Sequence, residues 1–226
     1  MNRPLQFWEQ LNETERGVLI AQGRSTRFES GSVLLSQGQA SPSAIILRSG
    51  VARVITVSED GRSTLLGRRT AGDLLGEQSG LDGGTCSATV TADGLVTGLA
   101  IVWREFTRLM AEHPGVSRAV IRTLSGRLRE SDLSRVRLSR PGVAARVAGA
   151  LLDEMGRGGK GATPDVCGMS QGDLGSTVGA SRESVSRALN SLRALGAVDT
   201  GRKRITVTDI EVLRREANRQ TTRDSD

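Results

Sequence analysis

The pattern of hydrophobic and polar positions changes three times along the chain. Residues 4–23 predict one or two short helices, with Asn12 as an N-cap. From Val33 to Ile101 the apolar residues come in short β-branched runs bounded by Gly, Asp, Ser or Pro. Runs at this spacing predict strands of a closed or sandwiched all-β unit such as a jelly roll. The segment Glu59-Asp60-Gly61 predicts a hairpin turn between two of these strands.

Residues 104–139 return to a helical pattern. One row of residues recurs at alternating steps of three and four, which places the row on one side of a helix. We call this row the dimer seam: Ile121, Leu124, Leu128, Ser131, Arg135 and Leu138. Such a long row with polar members predicts a helix that pairs with its own copy, and the alternative is a helix that only packs on the β unit. Proline and glycine in the segment 139–142 then end the helix.

The remaining residues predict a small helical domain with a closing hairpin. Residues 143–155 predict an apolar helix. Ser170 and Asp173 match a capping box, so a second helix is expected to begin there and to run to Val178. The terminal residues 214–226 are polar and predict a frayed tail.

A third short helix carries the strongest local pattern of the chain. Gly179 permits a turn and Ser181 is a suitable N-cap for a helix over 182–195. One side of this helix is apolar, with Val185, Ala188, Leu189 and Leu192. The opposite side, which we call the recognition face, is polar, with Arg182, Glu183, Ser186, Arg187 and Asn190. This division predicts a helix-turn-helix whose polar side is free to enter a DNA groove.

The polar residue types suit base recognition. An arginine fork matches the O6 and N7 acceptors of guanine, and a carboxylate accepts from the N4 amine of cytosine. Because phosphates repel Glu183, its place on this side is favourable only if it contacts a base. Arg202-Lys203-Arg204 predicts the tip of a wing whose cations contact phosphates. The alternative is a small helical domain whose charges only face water.

Composition supports a polyanionic partner and argues against several other classes. The formal net charge is +6, and residues 115–150 hold eight arginines against two acids, although a solvated helix face would look the same. No long apolar run or signal-peptide core is present, so we expect a cytoplasmic protein without membrane contact. Two cysteines are too few for a disulfide framework or a four-cysteine iron–sulfur site, and the single His113 disfavours haem or a jelly-roll metal site. No nucleophile–base pair is found, so no catalytic residue is assigned and no enzyme is expected.

Together these features resemble the CRP/FNR family of bacterial transcription regulators over nearly the whole chain. The segment GASRESVSRAL at 179–189 is similar to the family's recognition helix, and five glycines match the spacing of its roll corners: Gly38, Gly50, Gly61, Gly72 and Gly76. The resemblance implies an α+β fold with an N-terminal double-stranded β-helix (jelly-roll) sensor domain, a long dimerisation helix and a C-terminal winged helix-turn-helix. The expected domains are 1–115, 116–139 and 140–226.

The resemblance also implies partners and contacts. It implies a homodimer on double-stranded DNA, with half-sites like TGTGA one helical turn apart, and contact with RNA polymerase. The expected base contacts are Arg182, Glu183, Ser186 and Arg187. The expected phosphate contacts are Ser170, Gln171, Ser181, Arg202, Lys203 and Arg204.

The expected effector pocket departs from the family's cyclic-AMP pattern. The family's phosphate cassette is Gly-Glu, a short loop and Arg-Ser-Ala, whereas this chain has Gly76-Glu77, the loop QSGLDGGT and Cys86-Ser87-Ala88. Glu77 could still accept from a ribose hydroxyl. Replacing the phosphate-binding arginine by Cys86 removes a charge-assisted bond of about 1.5–3 kcal/mol. Ser131 and Asp132 align with the family's adenine contacts, and an ionised aspartate suits a donor-rich edge such as guanine.

These departures predict that cyclic AMP is not the physiological ligand or binds weakly. We expect a regulator controlled through its roll by a nucleotide-like or other small molecule, and no cofactor is assigned with certainty. The alternative is a constitutive DNA-binding regulator whose roll has lost its ligand and acts as a scaffold or polymerase contact. Cys86 is either a redox-responsive thiol or, as we expect, a small buried residue. Cys167 is expected to lie in the core.

Overall fold

The computed structural model describes residues 6–59, 61, 63–138, 142–157, 166–167, 170–201 and 204–219. The chain forms two compact units, which divide between Arg129 and Glu130 inside a long helix. This division differs from the expected domain limits at 115/116 and 139/140, which stay predictions.

The first unit begins with two helices, as the sequence predicts. A 3-10 helix spans Phe7–Gln10, and α1 spans Glu13–Gln22. The Asn12 side chain accepts from the Glu15 amide at 2.8 Å, and the Glu15 carboxylate accepts from the Asn12 amide at 2.9 Å. This reciprocal capping box confirms Asn12 as the N-cap.

A six-stranded antiparallel sheet follows. Its strands are β1 Arg24–Phe28, β2 Val33–Leu35, β3 Ser43–Val57, β4 Ser63–Thr70, β5 Leu74–Leu75 and β6 Thr89–Val102. The order is β1-β6-β3-β4, with β2 on β6 and β5 on β3. Each half of the long strands β3 and β6 pairs with a different short strand, so the sheet rolls up. This topology confirms the predicted jelly-roll type of unit.

The glycine at the centre of β3 is required by a close approach of two strands. Gly50 has φ +83, and a Cβ at this position would lie 2.3 Å from the Leu95 carbonyl oxygen. An L side chain would therefore be strained by its backbone and would also clash. The other four glycines of the expected roll corners also have positive φ.

The strand prediction was incomplete in three places. Because Gly50 and Gly94 permit sharp bends without ending a strand, four predicted runs merge into β3 and β6. Strand β1 lies before Val33, where no strand was expected, since its sequence RSTRF has few apolar residues. The short helix α2, Glu77–Asp82, contains Glu77 and the first five residues of the expected loop.

The helical segment after the sheet is divided. Helix α3 spans Trp103–Glu112 and α4 spans Pro114–Leu138, so the expected helix over 104–139 is interrupted at His113. Pro114 lacks an amide hydrogen and suits the first position of a helix. A Cβ on Gly115 would lie 1.5 Å from a Glu15 carboxylate oxygen. This negative group thus sits against the first turn of α4, where the helix dipole favours it.

Two apolar clusters stabilise the first unit. One fills the roll and includes Leu47, Ala52, Val90 and Val96. The other joins the outside of the roll to α1, α3 and α4 through residues such as Leu19, Phe106 and Val120. The first part of α4 is therefore fixed to the roll by its buried side, while other sides of the helix are exposed.

The second unit contains the remaining elements. They are α5 Val143–Arg157, β7 Val166–Cys167, α6 Gln171–Val178, α7 Arg182–Ala194, β8 Val198–Gly201, β9 Arg204–Val207 and α8 Ile210–Asn218. The strands form an antiparallel sheet in the order β7-β9-β8. Helix α8 corrects the expected frayed tail over 214–226, because Leu213 and Ala217 anchor it in the core. Residues 220–226 lie outside the described ranges.

Two further findings hold for the residues that the structure describes. None of their helices is both long enough and apolar enough to cross a membrane. They also contain no group of three or more His, Cys, Asp or Glu side chains placed to hold a metal ion.

Candidate functional site

The α6–turn–α7 segment has the geometry of a helix-turn-helix. Ser170 accepts from the Asp173 amide at 3.1 Å, and the Asp173 carboxylate accepts from the Ser170 amide at 3.3 Å. Gly179 ends α6 in the left-handed conformation (φ 61°, ψ 47°). Ser181 then caps α7 by accepting from the Ser184 amide at 3.2 Å. These contacts confirm the predicted caps and the predicted turn.

Helix α7 separates an anchored side from a free side. Its four apolar residues, Val185, Ala188, Leu189 and Leu192, are buried in the core of the second unit. Burial of each large apolar side chain contributes about 1.5–3 kcal/mol, so this side fixes the helix. On the recognition face, Arg182, Glu183, Arg187 and Asn190 are exposed and Ser186 is half-buried. The structure thus brings all expected base-contact residues onto one side of one helix.

Four of the six expected phosphate contacts lie in described parts of the second unit. Ser170 and Gln171 are half-buried at the start of α6, and Ser181 is exposed at the start of α7. Arg204 is exposed at the first position of β9, opposite Gly201 of β8. Arg202 and Lys203, the other two wing-tip cations, lie outside the described residues.

The cassette, Gly76–Ala88, is tightly packed against the roll and α3. Gly76 begins α2 with φ +79, and a Cβ on it would lie 2.7 Å from the Ser41 hydroxyl oxygen. A Cβ on Gly80 would lie 1.8 Å from the Trp103 indole ring. Both glycines therefore permit contacts that any larger residue would prevent, so the start of the cassette packs closely on its neighbours.

The Glu77 carboxylate is buried and bonded to an arginine that sequence reasoning missed. Arg127 of α4 donates one N–H to the Glu77 carboxylate and another to the Leu74 carbonyl oxygen. The Glu77 side chain is 4% exposed and the Arg127 side chain 20%. The one available signal was that Arg127 stands one helical turn before Ser131 on the same helix. The structure thus places Arg127 beside Glu77 of the expected effector pocket.

Cys86, which the resemblance aligns with the family's phosphate-binding arginine, is buried. Its thiol belongs to the apolar cluster that fills the roll. Its backbone N–H donates to the Gln39 carbonyl at 2.8 Å, and its carbonyl accepts from the Gly38 amide at 2.9 Å. Ala88 is also buried, whereas Ser87 is exposed and donates to Gln78 at 3.1 Å. The expectation that Cys86 is a small buried residue is confirmed, while the side chain of Cys167 lies outside the description.

The dimer seam is largely exposed along α4. Ile121 and Leu128 are 61% and 63% exposed, whereas Leu124 packs against the helices of the first unit. Ser131, Asp132 and Arg135 are also exposed, and an Arg135 nitrogen lies 3.7 Å from an Asp132 carboxylate oxygen. The side chain of Leu138 is not among those described.

Comparison with known proteins finds a matching domain family for each of the two units. The cyclic nucleotide-binding domain family matches residues 25–113, and the Crp-like helix-turn-helix domain family matches residues 145–216. The cyclic AMP receptor protein of Thermus thermophilus is 30% identical over 186 residues, which are 82% of this chain and 84% of that protein. The chain belongs to the CRP/FNR family of transcription regulators.

Two more relatives support the family assignment. A CRP-like cAMP-activated global transcriptional regulator of Mycobacterium tuberculosis is 28% identical over 203 residues, 88% of this chain and 91% of that protein. The crystal structure of the Thermus thermophilus catabolite activator protein is 28% identical with a TM-score of 0.54, covering 93% of this chain and 97% of that chain. This CRP/FNR regulator is therefore a DNA-binding protein, as expected, rather than an enzyme.

Proposed function

We propose that this CRP/FNR regulator is a homodimer that binds a palindromic DNA site resembling TGTGA-N6-TCACA. The observation that carries the proposal is the division of α7 into a fully anchored apolar side and an exposed polar side. Its arginines and its carboxylate match guanine and cytosine edges in the major groove. A two-fold DNA site requires two copies of this helix, one helical turn apart.

The dimer seam supports the second copy. Ile121 and Leu128 stand two turns apart on one side of α4 and are more than half exposed. Large apolar side chains at this spacing are favourable when a second helix covers them, because pairing removes their surface from water. Leu124 packs against the cluster that joins the roll to its helices, whereas Ile121 and Leu128 stay exposed and available for the pairing.

The proposed mode of control is a small molecule bound at the cassette, with weak affinity for cyclic AMP. Two relatives are named for cyclic AMP, so cyclic AMP is the first ligand to test. In this chain the position of the phosphate-binding arginine holds the buried thiol of Cys86, which cannot neutralise a phosphate. Isothermal titration is expected to give a dissociation constant for cyclic AMP well above the micromolar range. Sub-micromolar affinity would contradict this proposal.

Constitutive DNA binding is the second candidate, and one contact favours it. The Glu77 carboxylate, which would accept from a ribose, is already bonded to Arg127. If this pair replaces a ligand, operator affinity will be equal with and without a small-molecule extract of cells. A change in affinity on adding the extract would instead support control through the roll.

Binding to DNA is tested by fluorescence anisotropy at about 0.15 M salt, with the palindromic duplex and a scrambled duplex of the same composition. We expect the palindrome to bind at least about a thousandfold more tightly, as is usual for specific sites. Equal affinity for the two duplexes would contradict the proposal.

RNA polymerase is the further proposed partner, and transcription in vitro from a promoter carrying the palindrome tests it.

A further inference from the structure

A chain of side-chain contacts connects the cap of α7 to the recognition face. Ser181 accepts from the Ser184 amide at 3.2 Å, and its hydroxyl donates to the Ser184 hydroxyl oxygen at 3.0 Å. The Ser184 oxygen also accepts from an Arg187 guanidinium N–H at 3.4 Å. Ser184 therefore receives two donors, one from the helix cap and one from an expected base contact.

This arrangement is not the usual partnership of an arginine on a helix. Glu183 stands four residues before Arg187, which is the spacing at which a carboxylate and a guanidinium normally pair. Between these two described residues the structure contains no ion pair or hydrogen bond; the guanidinium lies against Ser184 instead. Both side chains are exposed, and the partner that Arg187 takes decides whether the charges of Arg187 and Glu183 neutralise one another.

We propose that Ser184 is a positioning residue for DNA specificity, which holds Arg187 away from Glu183. The inference rests on the proposed function of the recognition face. With Arg187 directed to Ser184, the Glu183 carboxylate stays free to accept from a cytosine amine, and the guanidinium stays free to donate to guanine. The Ser184 contact also restricts the Arg187 side chain in the free protein. Arg187 therefore loses less conformational entropy when it binds DNA.

Removing the Ser184 hydroxyl takes away one of the two side chains with which Arg187 can pair, and leaves Glu183. In Ser184→Ala we expect Arg187 to pair with Glu183 at the i, i+4 spacing, so that each of the two base contacts is partly occupied by the other. Since alanine has a higher helix propensity than serine, the change does not weaken α7 itself. A loss of DNA affinity in this variant therefore reports on the side chains. Ser184→Thr keeps the hydroxyl and serves as the conservative variant.

A matched control is available on the same helix. Ser191 is exposed, and its hydroxyl donates to the Arg187 carbonyl oxygen at 3.1 Å, away from the guanidinium. Ser191→Ala removes a hydroxyl of the same size without changing the partner of Arg187. This variant is expected to bind DNA like the natural protein.

The test uses the full chain and fluorescence anisotropy on the TGTGA-N6-TCACA duplex, together with duplexes that carry each single base-pair substitution in the half-sites. Ser184→Ala is expected to lower affinity about two- to tenfold, the cost of ordering one long side chain. It is also expected to relax discrimination at the base pairs where Glu183→Ala and Arg187→Ala relax it, and to keep discrimination where Arg182→Ala loses it. Ser184→Thr restores the natural profile.

The results distinguish a failure of the proposed role of Ser184 from a failure of the proposed DNA recognition. A natural profile for Ser184→Ala, or a uniform loss at every position with or without rescue by threonine, would overturn the role of Ser184 while leaving DNA recognition intact. If the unaltered protein does not distinguish the palindrome from scrambled DNA, the proposed function and this inference both fail.

Discussion

Among the described residues, Arg127 is the cation that pairs with the buried Glu77 carboxylate. Because removing one partner of a buried ion pair leaves an uncompensated charge, Arg127→Ala is expected to lower the free energy of unfolding of the first unit by about 3 kcal/mol. The two tryptophans, Trp8 and Trp103, both lie in this unit. Urea unfolding followed by tryptophan fluorescence therefore measures the roll without a contribution from the second unit.

An exposed arginine of the same helix provides the control for this change. Arg122→Ala removes a guanidinium from α4 with no buried partner among the described residues, and an effect of less than about 0.5 kcal/mol is expected. The double variant Glu77→Gln with Arg127→Ala should recover part of the loss, because no buried charge remains. Equal stability of Arg127→Ala and the natural protein would contradict the ion pair.

The recognition face and the wing predict two different kinds of loss. Arg182→Ala is expected to cost about 1–3 kcal/mol in each half-site of the palindrome and to relax the choice at one guanine there, because a bidentate base contact is removed. Arg204→Ala should weaken binding to all sequences alike and reduce the slope of affinity against salt concentration by about two, one for each half-site, as expected for a phosphate contact. Titration of both variants with specific and scrambled duplexes at several salt concentrations distinguishes the two roles. Unchanged discrimination in Arg182→Ala would contradict base contact.

At the scale of single residues, sequence reasoning succeeded where the cause was local. The caps at Asn12, Ser170 and Ser181 were predictable because each acts on an amide three residues away. The bond between Glu77 and Arg127 crosses 50 positions of the chain, and neither residue type indicates its partner. Such a contact can be identified only from a structure in which α4 packs on the roll.

At the scale of elements, the contact between α2 and α3 predicts a strong effect of a one-carbon change. Gly80→Ala places a methyl group against the Trp103 indole, so α2 must move, at a cost of about 1–3 kcal/mol. Gly17→Ala is the matched control, because it adds the same group to a helix with nothing within 4 Å. That change should raise stability by about 1 kcal/mol through helix propensity. Thermal unfolding of both variants, followed by tryptophan fluorescence, should show shifts of opposite sign; a Gly80→Ala shift equal to that of Gly17→Ala would contradict the tight packing.

Sequence reasoning missed β1 and α8 for the same physical reason: each has a weak apolar pattern of its own and is placed by its packing partners. Strand β1 has a weak apolar pattern of its own and is placed by its pairing with β6. Helix α8 has a largely polar sequence, yet Leu213 and Ala217 are enough to bury one side of it. Helix α7, in contrast, carries four buried positions at helical spacing, and the pattern alone was sufficient to predict it.

At the scale of the whole molecule, the dimer seam predicts how the oligomeric state responds to charge. Leu128→Glu places a carboxylate where the proposed partner helix packs, and its copy in the partner would repel it. We expect the variant to be monomeric in sedimentation velocity and to lose affinity for the palindrome. Val102→Glu, at a residue that is 60% exposed on β6, is the control and should leave the dimer unchanged. A dimeric Leu128→Glu protein with natural affinity would contradict this role of α4.

The central claim is that two copies of this chain together recognise one palindromic site. Native mass spectrometry of the protein mixed with the TGTGA-N6-TCACA duplex tests it most directly, because it counts chains and duplexes in the same complex. The account predicts a complex of two chains on one duplex, absent with scrambled DNA under the same conditions. A single chain bound per duplex, or the same complex on scrambled DNA, would contradict it.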